Sequence, residues 1–134
     1  MKTSPTILIL EDDEDDLFFA ERVLSKMGIK HTHHVGNGRL AIDYLMGKGP
    51  YAQRGKHPFP DIVLIDLKVP EINGHQVAEW IASQESMKAL HVYILSSSGE
   101  QRDRERAAKA SVAGYFVKPL TPSHIESILT AASV

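Results

Sequence analysis

Residues 6–10 (TILIL), 62–65 (IVLI) and 92–95 (VYIL) favour extended chain and carry no polar alternation. A strand wet on one face alternates; unbroken runs suit strands buried on both faces of a parallel sheet. Between the runs the period changes. Leu17, Ala20, Val23, Leu24 and Met27 recur at three and four, which predicts an amphipathic helix over 16–27 stopped by Gly28. Residues 31–35 read as a weak strand. Leu40, Ala41, Tyr44 and Leu45 show helical spacing again after the turn residues Gly36, Asn37 and Gly38. Residues 47–60 hold three Gly and three Pro, and read as an ordered surface loop.

After 62–65 the stretch LKVPEING has turn chemistry, and Val77, Ala78, Trp80 and Ile81 mark the next helix. The run 92–95 is closed by Ser96, Ser97, Ser98 and Gly99, one of them expected to cap a charge-rich, lightly packed helix over 100–112. Residues 115–117 form a last short strand. Thr121 as cap and Pro122 in the first helical position open a final helix with Ile125, Ile128 and Leu129 inward. Five strand–helix alternations of this kind predict a doubly wound α/β fold, a parallel sheet with helices on both faces.

Composition narrows the function. At 134 residues, 1–134 is expected to be a single domain, with 43% hydrophobic and 24% charged residues in the ordinary globular balance. A net charge of −2 gives no field for gripping nucleic acid or an anionic membrane. Residues 11–16 carry six of the 17 acids, leaving the rest of the chain with a surplus of four positive charges. The absence of cysteine excludes disulfides, thiol catalysis and thiolate zinc sites. No run is long enough for a membrane span and no apolar signal region follows Lys2, so a cytoplasmic location is expected.

Ligands of open α/β sheets bind outside the carboxyl ends of the strands. The residues leaving the strands there are Glu11 and Asp12, Asp66, Ser96 and Lys118. Three carboxylates brought together repel unless a cation sits among them or some take up protons. A hard divalent ion with oxygen ligands, Mg2+ first, is the economical partner. Other candidates are weaker. Asp13, Glu14, Asp15 and Asp16 suit a solvated helix start. His31, His33 and His34 lack a visible carboxylate partner for a metal. Trp80, Phe18 and Phe19 suit core or partner contacts, and GKGPYAQRGKH fails as a phosphate loop at Pro50 and His57.

The motifs ILILEDD, IVLIDLKVPEING, YILSSS and YFVKPLT together resemble the receiver domain of two-component response regulators, from about residue 6 to residue 132. The resemblance implies a flavodoxin-like sheet of order 2-1-3-4-5 with five helices. It implies that Asp66 is the phosphoacceptor for a sensor histidine kinase. Mg2+, with Mn2+ as a substitute, would then be held by Asp12, Asp66, the Lys68 backbone carbonyl and, mainly through water, Glu11. Lys118 would pair with one phosphoryl oxygen and Ser96 donate to another, with a cis Lys118–Pro119 bond.

Tyr115 matches the switch aromatic, which turns inward as Ser96 moves and remodels the surface of the fourth helix, fifth strand and fifth helix. Glu11 stands for the more frequent Asp and Ser96 for the more frequent Thr, each keeping its oxygen. Lys68 and Ser98, flanking the acceptor, are expected to tune the phosphate lifetime. The loop 47–60 is similar to that of stand-alone receivers partnering bacterial phytochrome-type kinases, which often form homodimers through that same surface.

The expected function is therefore signalling by protein contact. Catalysis would be limited to the protein's own phosphorylation and slow autodephosphorylation. The rival is a Mg2+-dependent aspartyl-phosphate phosphohydrolase, which usually needs a second acid where Lys68 stands.

Overall fold

A computed structural model describes residues 4–132. Its five strands are β1 (Thr6–Leu10), β2 (His31–Val35), β3 (Ile62–Ile65), β4 (His91–Ser96) and β5 (Gly114–Val117). They form one parallel sheet in the order β2-β1-β3-β4-β5. The helices are α1 (Glu14–Lys26), α2 (Gly38–Met46), α3 (Gly74–Ala82), α4 (Gln101–Lys109) and α5 (Pro122–Ala132).

Successive strand side chains point to opposite faces, so each unbroken apolar run feeds two cores. Ile7, Ile9, Ile62, Leu64, Tyr93 and Leu95 pack with Ala20 and Leu24 of α1 and Ile125 and Ile128 of α5. Leu8, Leu10, Val63, Ile65, Val92 and Ile94 pack with α2, α3 and Ala107 of α4. Burying each such aliphatic side chain is worth about 1.5–3 kcal/mol, and this is what fixes β1, β3 and β4 at the centre. In the register Leu10 lies beside both Val35 and Ile65. The carboxyl ends of β1 and β3 are therefore level, at the point where the strand order reverses.

Several boundaries differ from the sequence expectation. Helix α1 starts at Glu14, two residues early, because the Asp13 carboxylate accepts the Asp16 N–H at 2.9 Å. Helix α2 starts at Gly38, where Asn37 Oδ1 accepts the Leu40 N–H at 2.8 Å. Helix α4 is shorter than 100–112: it ends at Lys109, and Ser111 turns the chain with φ of 59°. Its cap position is held by Glu100, which makes no side-chain capping bond, so none of the serines caps it. Thr121 does cap α5, its Oγ1 accepting the His124 N–H at 3.2 Å.

The loop 47–60 is ordered and contains a single 3-10 turn, Gly49–Ala52. Arg54 folds it back on α2, donating to the carbonyls of Tyr44 (2.7 Å), Leu45 (2.9 Å) and His57 (3.1 Å). The three histidines of β2 do not converge. His33 packs near the Tyr44 ring, whereas His34 Nε2 lies 2.7 Å from the Glu11 carbonyl. Phe18 and Phe19 stand exposed on α1, while Trp80 packs partly buried against the core.

Candidate functional site

The rim residues are tied to the sheet by their own backbone. The Glu11 N–H donates to Val35 O at 3.1 Å, the Asp66 N–H to Leu10 O at 3.0 Å, and the Lys118 N–H to Ser96 O at 2.8 Å. Ladder bonds thus continue one residue past each strand and carry these side chains to one edge. Helix α3 closes the site from below, with a hydrogen bond from the Gly74 N–H to Leu67 O at 3.0 Å. The Lys118–Pro119 bond is cis.

Lys118 lies at the centre. Its ammonium is 2.7 Å from Glu11 Oε1, 2.8 Å from Asp16 Oδ2 and 3.0 Å from Asp66 Oδ2. Burial alone would lower the Lys118 pKa, but the bonds to Asp16, Glu11 and Asp66 outweigh it and hold the amine above its ordinary value. Glu11 and Asp66 are buried, Asp12 is exposed, and one oxygen from each lies within 4.8 Å of the others. Burial pushes Glu11 up to about 7, with the neighbouring Asp66 adding to the rise and the Lys118 bond opposing it.

Three carboxylates, those of Glu11, Asp16 and Asp66, bond the single ammonium, and Asp12 lies beside Glu11 and Asp66, so the site holds negative charge in excess. A donor set of clustered hard oxygens with excess negative charge fits a small divalent cation. Among the described residues, Glu11, Asp12 and Asp66 are the one group of three or more possible metal ligands.

Asp66 uses its two oxygens differently: Oδ2 faces Lys118, and Oδ1 accepts the Lys68 N–H at 3.2 Å. The Lys68 side chain is exposed. Ser96 is fully buried, with its Oγ accepting the Ser98 N–H at 3.1 Å. Ser98 connects further: its Oγ donates to Asp103 Oδ2 at 2.6 Å, and its carbonyl accepts the Tyr115 hydroxyl at 2.6 Å. The Arg104 guanidinium sits 4.7 Å from the Tyr115 ring centroid. Serine and tyrosine are thus joined through one loop residue.

The structure brings Glu11, Asp12, Asp66 and Lys118 together as the sequence pattern anticipates, with Ser96 at the neighbouring strand end. The pattern missed Asp16 and Asp103. Asp16 reads as a solvated helix acid but bonds Lys118 across 102 residues of sequence. Asp16 lies in the first turn of α1 with Glu14 and Asp15, and no local signal sets it apart from them.

The sequence model of the response regulator receiver domain matches residues 7–130, and the chain belongs to that family. Among solved structures, it is similar to a response regulator in red light signaling of R. palustris. That match has 30% identity and a TM-score of 0.81, covering 95% of this chain and 90% of that one. The bacteriophytochrome response regulator AtBRR aligns at 27% identity and a TM-score of 0.85, over 99% of this chain and 95% of its own. The phosphorylated cyanobacterial phytochrome response regulator RcpA aligns at 27% identity and a TM-score of 0.80, over 96% and 91%. No described helix is long and apolar enough to cross a membrane.

Proposed function

We propose that this receiver domain accepts a phosphoryl group on Asp66 from the phosphohistidine of a sensor histidine kinase and signals by changing a protein-binding surface. The observation that carries the reading is the Asp66 carboxylate held 3.0 Å from the Lys118 ammonium, inside a cluster with Glu11 and Asp12. In this reading Asp66 is the nucleophile, and Lys118 places its charge against the oxygens of the incoming group. Glu11, Asp12, Asp66 and the Lys68 carbonyl would hold Mg2+, or Mn2+ in its place. Such an ion would supply charge neutralisation for the transferring phosphoryl group.

The buried Ser96 hydroxyl is the natural donor to a second phosphoryl oxygen. Turning toward it disturbs Ser98, and through Ser98 the Tyr115 hydroxyl and the first turn of α4. The surface of α4, β5 and α5 is thereby biased between two arrangements, by no more than the phosphate's differential affinity for them. A second copy of the chain is one partner for that surface. The likeness to phytochrome response regulators supports a phytochrome-type kinase as the phosphodonor. The chain's chemistry is its own phosphorylation and slow dephosphorylation, in the cytoplasm.

The test is incubation with a small phosphodonor and Mg2+, followed by mass measurement. One phosphate per chain is expected, labile to base, absent in Asp66→Asn and absent after EDTA. Multiple turnover of a small phosphomonoester would favour a phosphohydrolase instead. No modification at all would sink the proposal.

A further inference from the structure

An ammonium has three N–H donors, and those of Lys118 are matched by three carboxylates: Glu11 at 2.7 Å, Asp16 at 2.8 Å and Asp66 at 3.0 Å. A phosphoryl oxygen on Asp66 gains Lys118 only if one of the three lets go. They differ in what release costs. The Glu11 side chain is 5% exposed, so losing the lysine strands a carboxylate away from water, while Asp66, 10% exposed, needs the lysine until its own carboxylate takes the phosphoryl group. Asp16 is 48% exposed, and water replaces the lysine there. Asp16 also lines, with Lys118, an open groove whose walls include Phe19, Leu95, Ser97 and Pro119. An anionic phosphodonor that brings its phosphoryl group to Asp66 beside Lys118 meets the charge of Asp16 on the same ammonium.

We propose that Asp16 is a positioning residue that holds Lys118 at the rim before phosphorylation, hands it to the phosphoryl group afterwards, and by its charge slows loading from anionic donors. This rests on the reading of Asp66 as phosphoacceptor. With acetyl phosphate, an Asp66 carboxylate oxygen bonds to phosphorus while the bond from phosphorus to the acetate oxygen breaks. Acetate leaves with the electron pair and no proton is transferred. Removing the Asp16 charge lowers repulsion on the entering dianion and frees one donor of Lys118. The helix itself loses little, because Asp13 still caps the Asp16 N–H.

The test compares initial phosphorylation rates of the parent, Asp16→Asn and Asp16→Glu with acetyl phosphate and Mg2+. At low salt, Asp16→Asn is expected to load about two- to fivefold faster, through a lower half-saturating donor concentration. Asp16→Glu returns to the parent rate. Because the effect is one of charge at a half-exposed position, the gain shrinks as ionic strength approaches about 0.5 M. Trifluoroberyllate, a phosphoryl mimic, binds Asp16→Asn more tightly by a similar factor. An Asp16→Asn rate equal to or below the parent at low salt overturns the inference, as does a gain indifferent to salt. A parent that takes no phosphate and binds no trifluoroberyllate brings down the phosphoacceptor reading itself, and this inference with it.

Discussion

His75 Nε2 lies 3.0 Å from Asp103 Oδ1, joining the first turn of α3 to the first turn of α4. Further along both helices Glu79 and Arg106 repeat the link, with contacts of 2.7 and 3.0 Å. These two rungs hold a helix that has little else, since Ala107 is the buried residue of α4. Asp103 also receives the Ser98 hydroxyl, so the same carboxylate anchors the loop after β4.

Replacing Asp103 by Ala is expected to lower stability by about 1–3 kcal/mol, because it removes charged hydrogen bonds and leaves a buried His75 without its partner. The Ser98 hydroxyl first, and then His75, hold the Asp103 carboxyl below its ordinary value. A folded pKa below the unfolded one means that the contribution is complete above the unfolded value, near about 4, and is lost as pH falls through the folded value. Urea midpoints should therefore differ between parent and Asp103→Ala by a constant amount near neutrality. The difference narrows in acid below about pH 4.

His124 supplies a second pH effect. Its ring stacks on Phe116 with centroids 4.4 Å apart, and Nδ1 accepts the Thr121 N–H at 3.2 Å. Burial lowers its pKa. Protonation would set an N–H against the Thr121 N–H. The sign is again that of a depressed pKa: stability is complete above the unfolded histidine value, about 6.5, and declines as pH falls through the folded one. His124→Gln keeps a capping-box acceptor at the third helical position without a titrating ring. Its urea midpoint should fall less than the parent's between about pH 7.5 and pH 5.

Gly74 sets the distance between α3 and the acceptor. A Cβ there would lie 2.3 Å from the Asp66 carbonyl oxygen and 2.6 Å from the Leu67 Cα, both backbone atoms with no freedom to swing aside. Gly74→Ala is expected to cost about 1–3 kcal/mol of stability and to displace Asp66, lowering phosphate incorporation as well. Gly36→Ala is the control: a Cβ at Gly36 meets nothing within 4 Å. Its midpoint should stay within about 0.5 kcal/mol of the parent.

Arg54 is the pin of the 47–60 loop. Arg54→Ala removes hydrogen bonds to three carbonyls at the end of α2 and within the loop. The expected loss is about 1–3 kcal/mol, with faster proteolytic cleavage in residues 48–60. Arg54→Lys should not rescue it, because a single ammonium does not reproduce the fork of the guanidinium. Limited proteolysis of the three proteins followed by mass spectrometry gives the answer.

Unbroken apolar runs determined β1, β3 and β4 as buried parallel strands, because only burial on both faces tolerates such runs. The acids and lysine leaving those strands were likewise legible, since a residue just past a strand end must lie at the sheet's edge. Boundaries were less so. Asp13 and Asn37 start their helices early through hydrogen bonds from their side chains to backbone N–H groups, and a hydrophobic pattern does not register those bonds. Nor did the cluster of serines after β4 reveal that Ser98 would turn to Asp103 rather than cap α4.

What the tertiary structure alone decided is which charges meet. Asp16 sits among other acids at the start of α1, and Asp103 between Arg102 and Arg104 at the start of α4, both helix starts of ordinary composition. Their partners, Lys118 and His75, lie 102 and 28 residues away. Local sequence sets a side chain's direction on its own helix. It does not set how α1 lies against the end of β5, or α3 against α4, because that depends on how the sheet twists and how two cores fill. Coulombic contacts between helices are settled only after that packing is complete.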